Sequence, residues 1–379
     1  MKIYKKAVLP QGFLANGMGA GIKKSGKKDL ALFYSIKPAK AAVLTTANTV
    51  KGAALKVNQR YLANSKDFQA IVVNSGNANC FTGRQGFKDA EQMTQYAATA
   101  LNISRKKVLV ASTGIIGKKL PVSKIETAMP QLAKGLSVQG ISAAKSAILT
   151  TDTFSKEIAV KFNIGNRMVT ICGVAKGSGM IAPNMATMLG FIFTDANITQ
   201  RALNQALLSA VGQSFNCISV DNCMSTNDTV IILANGVSGN ALIGGKKNLQ
   251  LFSKALNLVC LELAKKIVED AEGATKFIRI TVGKAASFDQ ARRVAMQVAN
   301  SDLFKTAIYG ASPNFFGRVV AAVGSSGVKV QEERLKIKAS SLKKKHIDID
   351  IQLNAGNASA VAYTCDLTHE YIKINTEYN

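Results

Sequence analysis

The sequence predicts a layered α/β protein, and three observations carry that expectation. Strand-like runs and helical periods mix along 379 residues without the regular βαβ spacing of a doubly wound sheet. No internal repeat or low-complexity linker interrupts them. Hydrophobic residues make up 47% and charged residues only 19%, the balance of a folded globule with a sizeable core rather than a disordered chain. The length allows two or three domains.

In chain order, a glycine-rich stretch from Gly12 to Lys23 precedes short apolar strands at Ala31–Tyr34 and Ala41–Leu44. Ala70–Val73 reads as a strand ending in a tight Asn74–Asn79 loop, before helical periodicity from Phe87 to Leu101. Such a loop could present backbone N–H groups to a phosphate or carboxylate, or be a simple turn. Val108–Ala111 is a strand running into Ser112-Thr113-Gly114. Ser123 and Glu126 have the spacing of a capping box. Ile158–Ile164 and Met168–Val174 flank a Gly165-Asn166 turn and predict a hairpin that delivers Lys176. Thr199 is placed to cap a helix reaching about Phe215. Thr229–Leu233 is a buried strand, and a long amphipathic helix covers about Leu249 to Asp270. Beyond Glu272 come a strand at Phe277–Val282, a capped helix from Ser287 to Asn300, and the alternation of Ile347–Ile351. Val361–Tyr363 and Tyr371–Ile374 are read as the last strands.

No apolar run reaches the ~18–20 residues that span a bilayer, and the N-terminus lacks the apolar core of a signal peptide. A cytoplasmic address is the default expectation. Six cysteines lie far apart with no zinc-ligand spacing, and most sit in apolar stretches, which predicts buried free thiols. Only two histidines exist, His346 and His369, so a Ser-His-Asp triad or a His-rich metal site is poorly supported. The net charge of +25, from 48 basic and 23 acidic residues, could serve nucleic acid or a membrane surface. Its lysines are scattered and no aromatic-interleaved binding motif accompanies them, which favours a solvated surface. Up to Lys66 the only acid is Asp29.

The most informative stretch runs from Lys176 to Gly190. It opens with Lys176-Gly177-Ser178-Gly179, carries a Pro183-Asn184 turn, and sets one hydroxyl, Thr187, before an apolar run that continues to Phe193. Thr187 could be an ordinary strand residue, since β-branched side chains suit a pleated surface. It could also be the nucleophile of a self-cleaved Ala186–Thr187 bond, with its freed α-amine, of ordinary pKa about 8, as the base.

The segment from Gly173 to Ala196 resembles the ornithine acetyltransferase (glutamate N-acetyltransferase) family of arginine biosynthesis almost without a gap, and further matching islands run from Gly12 to the C-terminus. The resemblance implies helices packed outside stacked β-sheets in an α-β-β-α arrangement, with a C-terminal α/β portion. It implies maturation into two chains that stay together, an alpha fragment 1–186 and a beta fragment 187–379, assembled as α2β2. It implies acetyl transfer from N-acetylornithine to glutamate with no cofactor, and leaves open whether acetyl-CoA also serves as donor.

Carried over residue by residue, the resemblance makes Thr187 the nucleophile and gives Thr113 and Gly114 as an oxyanion hole of one hydroxyl and one backbone N–H. Without it, Ser112-Thr113-Gly114 is an ordinary strand-end turn. Lys176 suits a substrate carboxylate as a point charge. Thr150, first in Thr150-Thr151-Asp152-Thr153, matches a substrate-binding threonine, with its neighbours open by one residue. Glu272 matches a substrate-binding carboxylate and Asn375 a C-terminal asparagine. Four departures bear on substrate preference. The chain stops at Asn379, one residue short of a second C-terminal hydroxyl, and Ala271 replaces a common glycine. Ser312–Arg318 lacks an Asp and a Trp and gains a residue, and Asn222-Cys223-Met224 is atypical. The rival readings are a self-processing aminopeptidase or amidase of similar architecture, in which water takes the acyl group, and a basic nucleic-acid-binding protein.

Overall fold

A proline inside a run of strand formers shapes the first part of the molecule. The computed structural model describes residues 1–182 and 188–377. Ala186 and Thr187, and the terminal shortfall at Asn379, therefore lie outside the described residues. Two units divide the chain: residues 1–177, 188–213 and 225–263 form one, and residues 178–182, 214–224 and 264–377 the other.

The first unit contains strands β1 (Lys2–Tyr4), β2 (Phe13–Met18), β3 (Leu30–Thr45), β4 (Phe68–Asn77), β5 (Val108–Ile115), β6 (Lys156–Ile164), β7 (Arg167–Lys176), β8 (Leu189–Thr194) and β9 (Thr229–Ala234). Its helices are α1 (Ala53–Asn64), α2 (Gly83–Leu101), α3 (Val122–Lys134), α4 (Ile141–Ala147), α5 (Gln200–Gly212) and the start of α6 (Lys246–Glu269). The strands connect in the order β1-β6-β7-β8-β9-β3-β4-β5, with β2 also on β3. The two short strands expected at Ala31–Tyr34 and Ala41–Leu44 are one strand. Its first part pairs with β2 and β4, its last part, Lys40–Thr45, with β9, and the register slips between Tyr34 and Ala39. Pro38 lies in that slip, where a missing N–H costs the ladder nothing. A single strand thus belongs to two sheets.

Those sheets face one another through aromatic rings. Phe33 of β3 lies 5.3 Å from Phe191 and 5.0 Å from Phe193 of β8, and Phe13 of β2 lies 5.3 Å from Phe193, all between centroids. Outside one sheet, Asn58 of α1 exchanges two hydrogen bonds with the Val110 backbone (2.8 and 2.9 Å), closing part of the β5 edge. Outside the other, α6 packs so closely on β7 that a Cβ on Gly173 would meet Val259 and Leu263 at 2.8 Å. This is the α-β-β-α layering expected above.

The second unit holds strands β10 (Phe277–Ala285), β11 (Lys336–Ala339), β12 (His346–Gln352) and β13 (Ala358–Cys365), and helices α7 (Phe288–Ala299), α8 (Asp302–Tyr309), α9 (Phe315–Gly324) and α10 (His369–Glu377). Its sheet runs β11-β12-β10-β13, with β10 parallel to β12 and antiparallel to β13. The alternation legible in the sequence sends Ile278, Ile280, Val282, Ile347, Ile349 and Ile351 to one buried face, in a common core with Ala291, Val294 and Val298 of α7. Arg279 and Asp348 pair at 2.7 Å on the exposed face.

Several expected elements change. Tyr371–Ile374 is not a strand but part of α10, whose first turn is held by the Thr368 hydroxyl accepting the Tyr371 N–H at 3.2 Å. Ser123 caps nothing: α3 begins at Val122, after Pro121 at the cap position with no side-chain cap. Thr199 and Ser287 do cap, each accepting an N–H three residues on. The Asn74–Asn79 loop is partly strand, since β4 runs to Asn77. Its amides bond to main-chain carbonyls, Asn74 to that of Asn77 within the loop (2.8 Å) and Asn77 to those of Lys118 and Lys119 beyond it (3.2 and 3.1 Å), which is the behaviour of a structural turn.

Candidate functional site

The hairpin β6–β7 ends on a carboxylate sealed among lysines. Asp152, with a fully buried side chain, lies 2.5 Å from Lys156 Nζ and 4.0 Å from Lys176 Nζ. It also accepts the N–H groups of Thr150 (2.9 Å) and Gly177 (2.7 Å). Burial alone would raise its pKa, but the lysines and backbone donors overcome that and hold it at about 2. Two of the sequence-derived site residues, Thr150 and Lys176, are thus brought together on one acid. Lys176 makes the longer of the two lysine contacts.

Thr113 and Gly114 stand at the end of β5, where its pairing with β4 shifts register beside Gly76 and Asn77. A bulge of this kind re-aims side chains at a strand end. Gly114 has φ +130°, and a Cβ there would lie 2.3 Å from the Gly76 carbonyl carbon, so only glycine fits. Thr113 is buried. The link from this bulge to the Asp152 centre is Lys23. Its stem packs where a Gly76 Cβ would project, at 2.9 Å, and its ammonium donates to the Leu149 carbonyl at 2.7 Å, one residue before Thr150. Burial lowers the Lys23 pKa to about 8, with Asp29 opposing and Lys176 reinforcing the shift. Asp29 folds the loop that presents Lys23, accepting the N–H groups of Ala20, Ile22 and Lys23 at 2.6, 2.6 and 2.8 Å.

In the second unit, Glu272 Oε2 accepts from the Asn375 side chain at 3.1 Å, so these two expected residues also meet. The backbone N–H of Glu272 donates to the Ser178 carbonyl at 3.0 Å. Its carboxylate occupies the space a Gly179 Cβ would fill, 2.1 Å from Oε2, which explains the glycine at 179. Thr368 donates its hydroxyl to the Gly273 carbonyl at 2.7 Å and so docks α10 beside Glu272. The atypical Ser312–Arg318 segment does structural work: Arg318 reaches the Leu303 carbonyl at 2.6 Å and Thr306 at 3.0 Å, tying α9 to α8.

Sequence reasoning did not single out Lys23, Asp29, Asp152 and Lys156 as site residues. Asp29 carried a signal, as the only acid in the first 66 residues. Asp152 and Lys156 carried another, a spacing of four. Five cysteines are buried and Cys223 is exposed, all of them free thiols. Among the described residues no group of acids, histidines and cysteines could hold a metal ion, and no helix is long and apolar enough to cross a membrane.

The first unit thus sets a strand-end hydroxyl beside a glycine that admits no Cβ, and a buried lysine beside a carboxylate. The fold is a layered α/β one, and the relatives described next make the protein an acyltransferase of arginine biosynthesis. The chain belongs to the ArgJ family, whose model matches residues 14–379. It is 44% identical to an arginine biosynthesis bifunctional protein ArgJ of Oceanobacillus iheyensis, over 97% of this chain and 95% of that one. The corresponding protein of Caldanaerobacter subterraneus is 43% identical, with 98% of each covered. A crystal structure of ornithine acetyltransferase complexed with ornithine, from Mycobacterium tuberculosis, is 35% identical with a TM-score of 0.45, over 48% of this chain and 97% of that one.

Proposed function

We propose that the protein moves the acetyl group of N-acetylornithine to glutamate through an acetyl ester on Thr187, after cutting its own Ala186–Thr187 bond. The observation that supports this best is the family match over nearly the whole length, which takes in the Lys176–Gly190 stretch. In the maturation step, the Thr187 hydroxyl adds to the Ala186 carbonyl, the C–N bond breaks and the nitrogen takes the proton. Water then hydrolyses the ester, leaving an Ala186 carboxylate, the Thr187 hydroxyl and a new α-amine.

In the transfer step that amine accepts the hydroxyl proton as Thr187 attacks the acetyl carbonyl. Thr113 and Gly114 stabilise the developing oxyanion, a contribution of ~3–4 kcal/mol per donor in a dry site. Ornithine leaves with the proton, and the glutamate α-amine then takes the acetyl group from the ester. Lys176 and Thr150 receive a substrate carboxylate, and Glu272 with Asn375 an amino group. Fragments 1–186 and 187–379 stay together, as α2β2, in the cytoplasm. Acetyl-CoA is a second donor to assay.

Intact-mass spectrometry tests the maturation step: wild type should give two fragments, and Thr187→Ala one full-length chain without transferase activity. A Thr187→Ala protein that still cuts at this bond would remove the assignment. Assays with and without glutamate separate transfer from the hydrolysis an amidase would show, and ping-pong kinetics are expected.

A further inference from the structure

One peptide group of the first unit is gripped from both sides by opposite charges. The Leu149 carbonyl accepts the Lys23 ammonium at 2.7 Å. The N–H across the same amide bond, that of Thr150, donates to Asp152 Oδ2 at 2.9 Å. That carboxylate oxygen also faces the Lys176 ammonium, at 4.0 Å. A peptide unit is planar, so a cation on its oxygen and an anion on its hydrogen fix the plane. With the plane goes the direction in which the Thr150 side chain leaves the main chain. Hydrogen bonds with one ionised partner are roughly twice as strong as neutral ones, so both grips are firm.

Lys23 works from a rigid base. Its ammonium also donates to the Lys28 carbonyl at 2.7 Å, and its stem crosses Gly76, whose φ of +95° and missing Cβ leave room for it. The loop that carries Lys23 is closed without help from Leu149. The buried Asp29 accepts three N–H groups within it, donates its own N–H to the Met18 carbonyl of β2 at 3.0 Å, and accepts the Ser75 N–H of β4 at 2.9 Å. The bond to Leu149, 126 positions further along the chain, is therefore surplus to the loop.

We infer that Lys23 is a positioning residue for Thr150: its ammonium, opposite Asp152, fixes the peptide group from which the substrate-binding threonine projects. The inference rests on the reading of Thr150 as a substrate-carboxylate ligand given above and adds the residue that aims it. Lys23 acts through Thr150, so its effect depends on the Thr150 hydroxyl being present.

The test is a double-mutant cycle. KM and kcat are measured for N-acetylornithine and for glutamate in wild type, Lys23→Met, Thr150→Ala and the double variant, each first checked for a cooperative thermal transition. Methionine keeps a long unbranched stem over Gly76 and removes the ammonium. Thr150→Ala should raise KM for at least one substrate. For that substrate Lys23→Met should raise KM about tenfold, as loss of a charged hydrogen bond implies, and leave kcat within about threefold. In the Thr150→Ala chain the same substitution should move KM by less than about twofold, because residues acting through one contact are not additive. A lysine that only closes its loop would shift KM by an equal factor with and without the hydroxyl. That equal factor, or Lys23→Met at the wild-type KM, overturns the positioning role. Thr150→Ala at the wild-type KM for both substrates overturns the substrate-binding reading, and the inference with it. If Lys23→Met does not fold, Lys23→Gln, equally without the charge, carries the same comparison.

Discussion

The first unit seals the carboxylate of Asp152 among charges, whereas the second leaves that of Glu272 within reach of a neutral amide. Asp152 has no exposed side-chain surface and answers two lysines. Glu272 is half-buried and meets an exposed amide, Asn375, on the last helix. A buried ion pair is costly to assemble and costlier to break, so the first arrangement fixes geometry firmly. The second, a single hydrogen bond to an exposed amide, is cheap to form and to rearrange. The contrast separates a carboxylate locked by its partners from one free to change them.

The largest expected effect comes from breaking the sealed side. Asp152→Asn removes the carboxylate from Lys156 and Lys176 and should cost about 3–5 kcal/mol of stability in denaturant titration. A loss under 1 kcal/mol would mean that the lysines are satisfied without it. Acid gives a smaller effect from the same residue. The Asp152 pKa is about 2 when folded, against 3.8 as its ordinary value. Its contribution is therefore fully present above pH 3.8 and is lost as pH falls through 2, about 2 kcal/mol in all. The Asp152→Asn chain should lack that part of the acid dependence. On the open side, Asn375→Ala should change stability by less than about 0.5 kcal/mol and raise KM for one substrate a few-fold with little effect on kcat. An effect on kcat as large as that on KM would place Asn375 in the transition state rather than in binding.

The smallest effect concerns the surface. At ~0.15 M salt the Debye length is about 8 Å. The +25 charge should then alter kcat/KM for glutamate only a few-fold between low and high salt. Filter binding at physiological salt should show weak nucleic-acid affinity without sequence preference; nanomolar affinity for a defined RNA or DNA would assign the charge a partner.

Strands of β-branched residues and the capped helices at Thr199 and Ser287 were legible because their signals are local. The alternation of Ile347–Ile351 even gave the buried face of β12. What escaped was set by partners distant in sequence. Nothing near Pro38 announces that Leu30–Tyr34 and Lys40–Thr45 are one strand serving two sheets. The apolar Tyr371, Ile372 and Ile374 suit a strand as well as a helix until Thr368 caps the turn. At the candidate site, Lys176, Thr150, Glu272 and Asn375 were reached by resemblance to a family. The acid joining the first pair sat unremarked between two threonines, and Lys23 became visible only once Gly76 and Leu149 stood beside it.

The strand order has a consequence for the life of the molecule. Across one sheet, β7 precedes residue 186, β8 and β9 follow it, and β3 precedes it again. If the chain cuts itself at Ala186–Thr187, the later piece keeps two neighbouring strands clasped on both sides by the earlier piece. Folding would then be a journey made once, as a single thread. After the cut, recovery from denaturant would require two separate polypeptides to find one another and interleave. It should slow on dilution and compete with aggregation, while the uncut Thr187→Ala chain refolds at a rate independent of concentration.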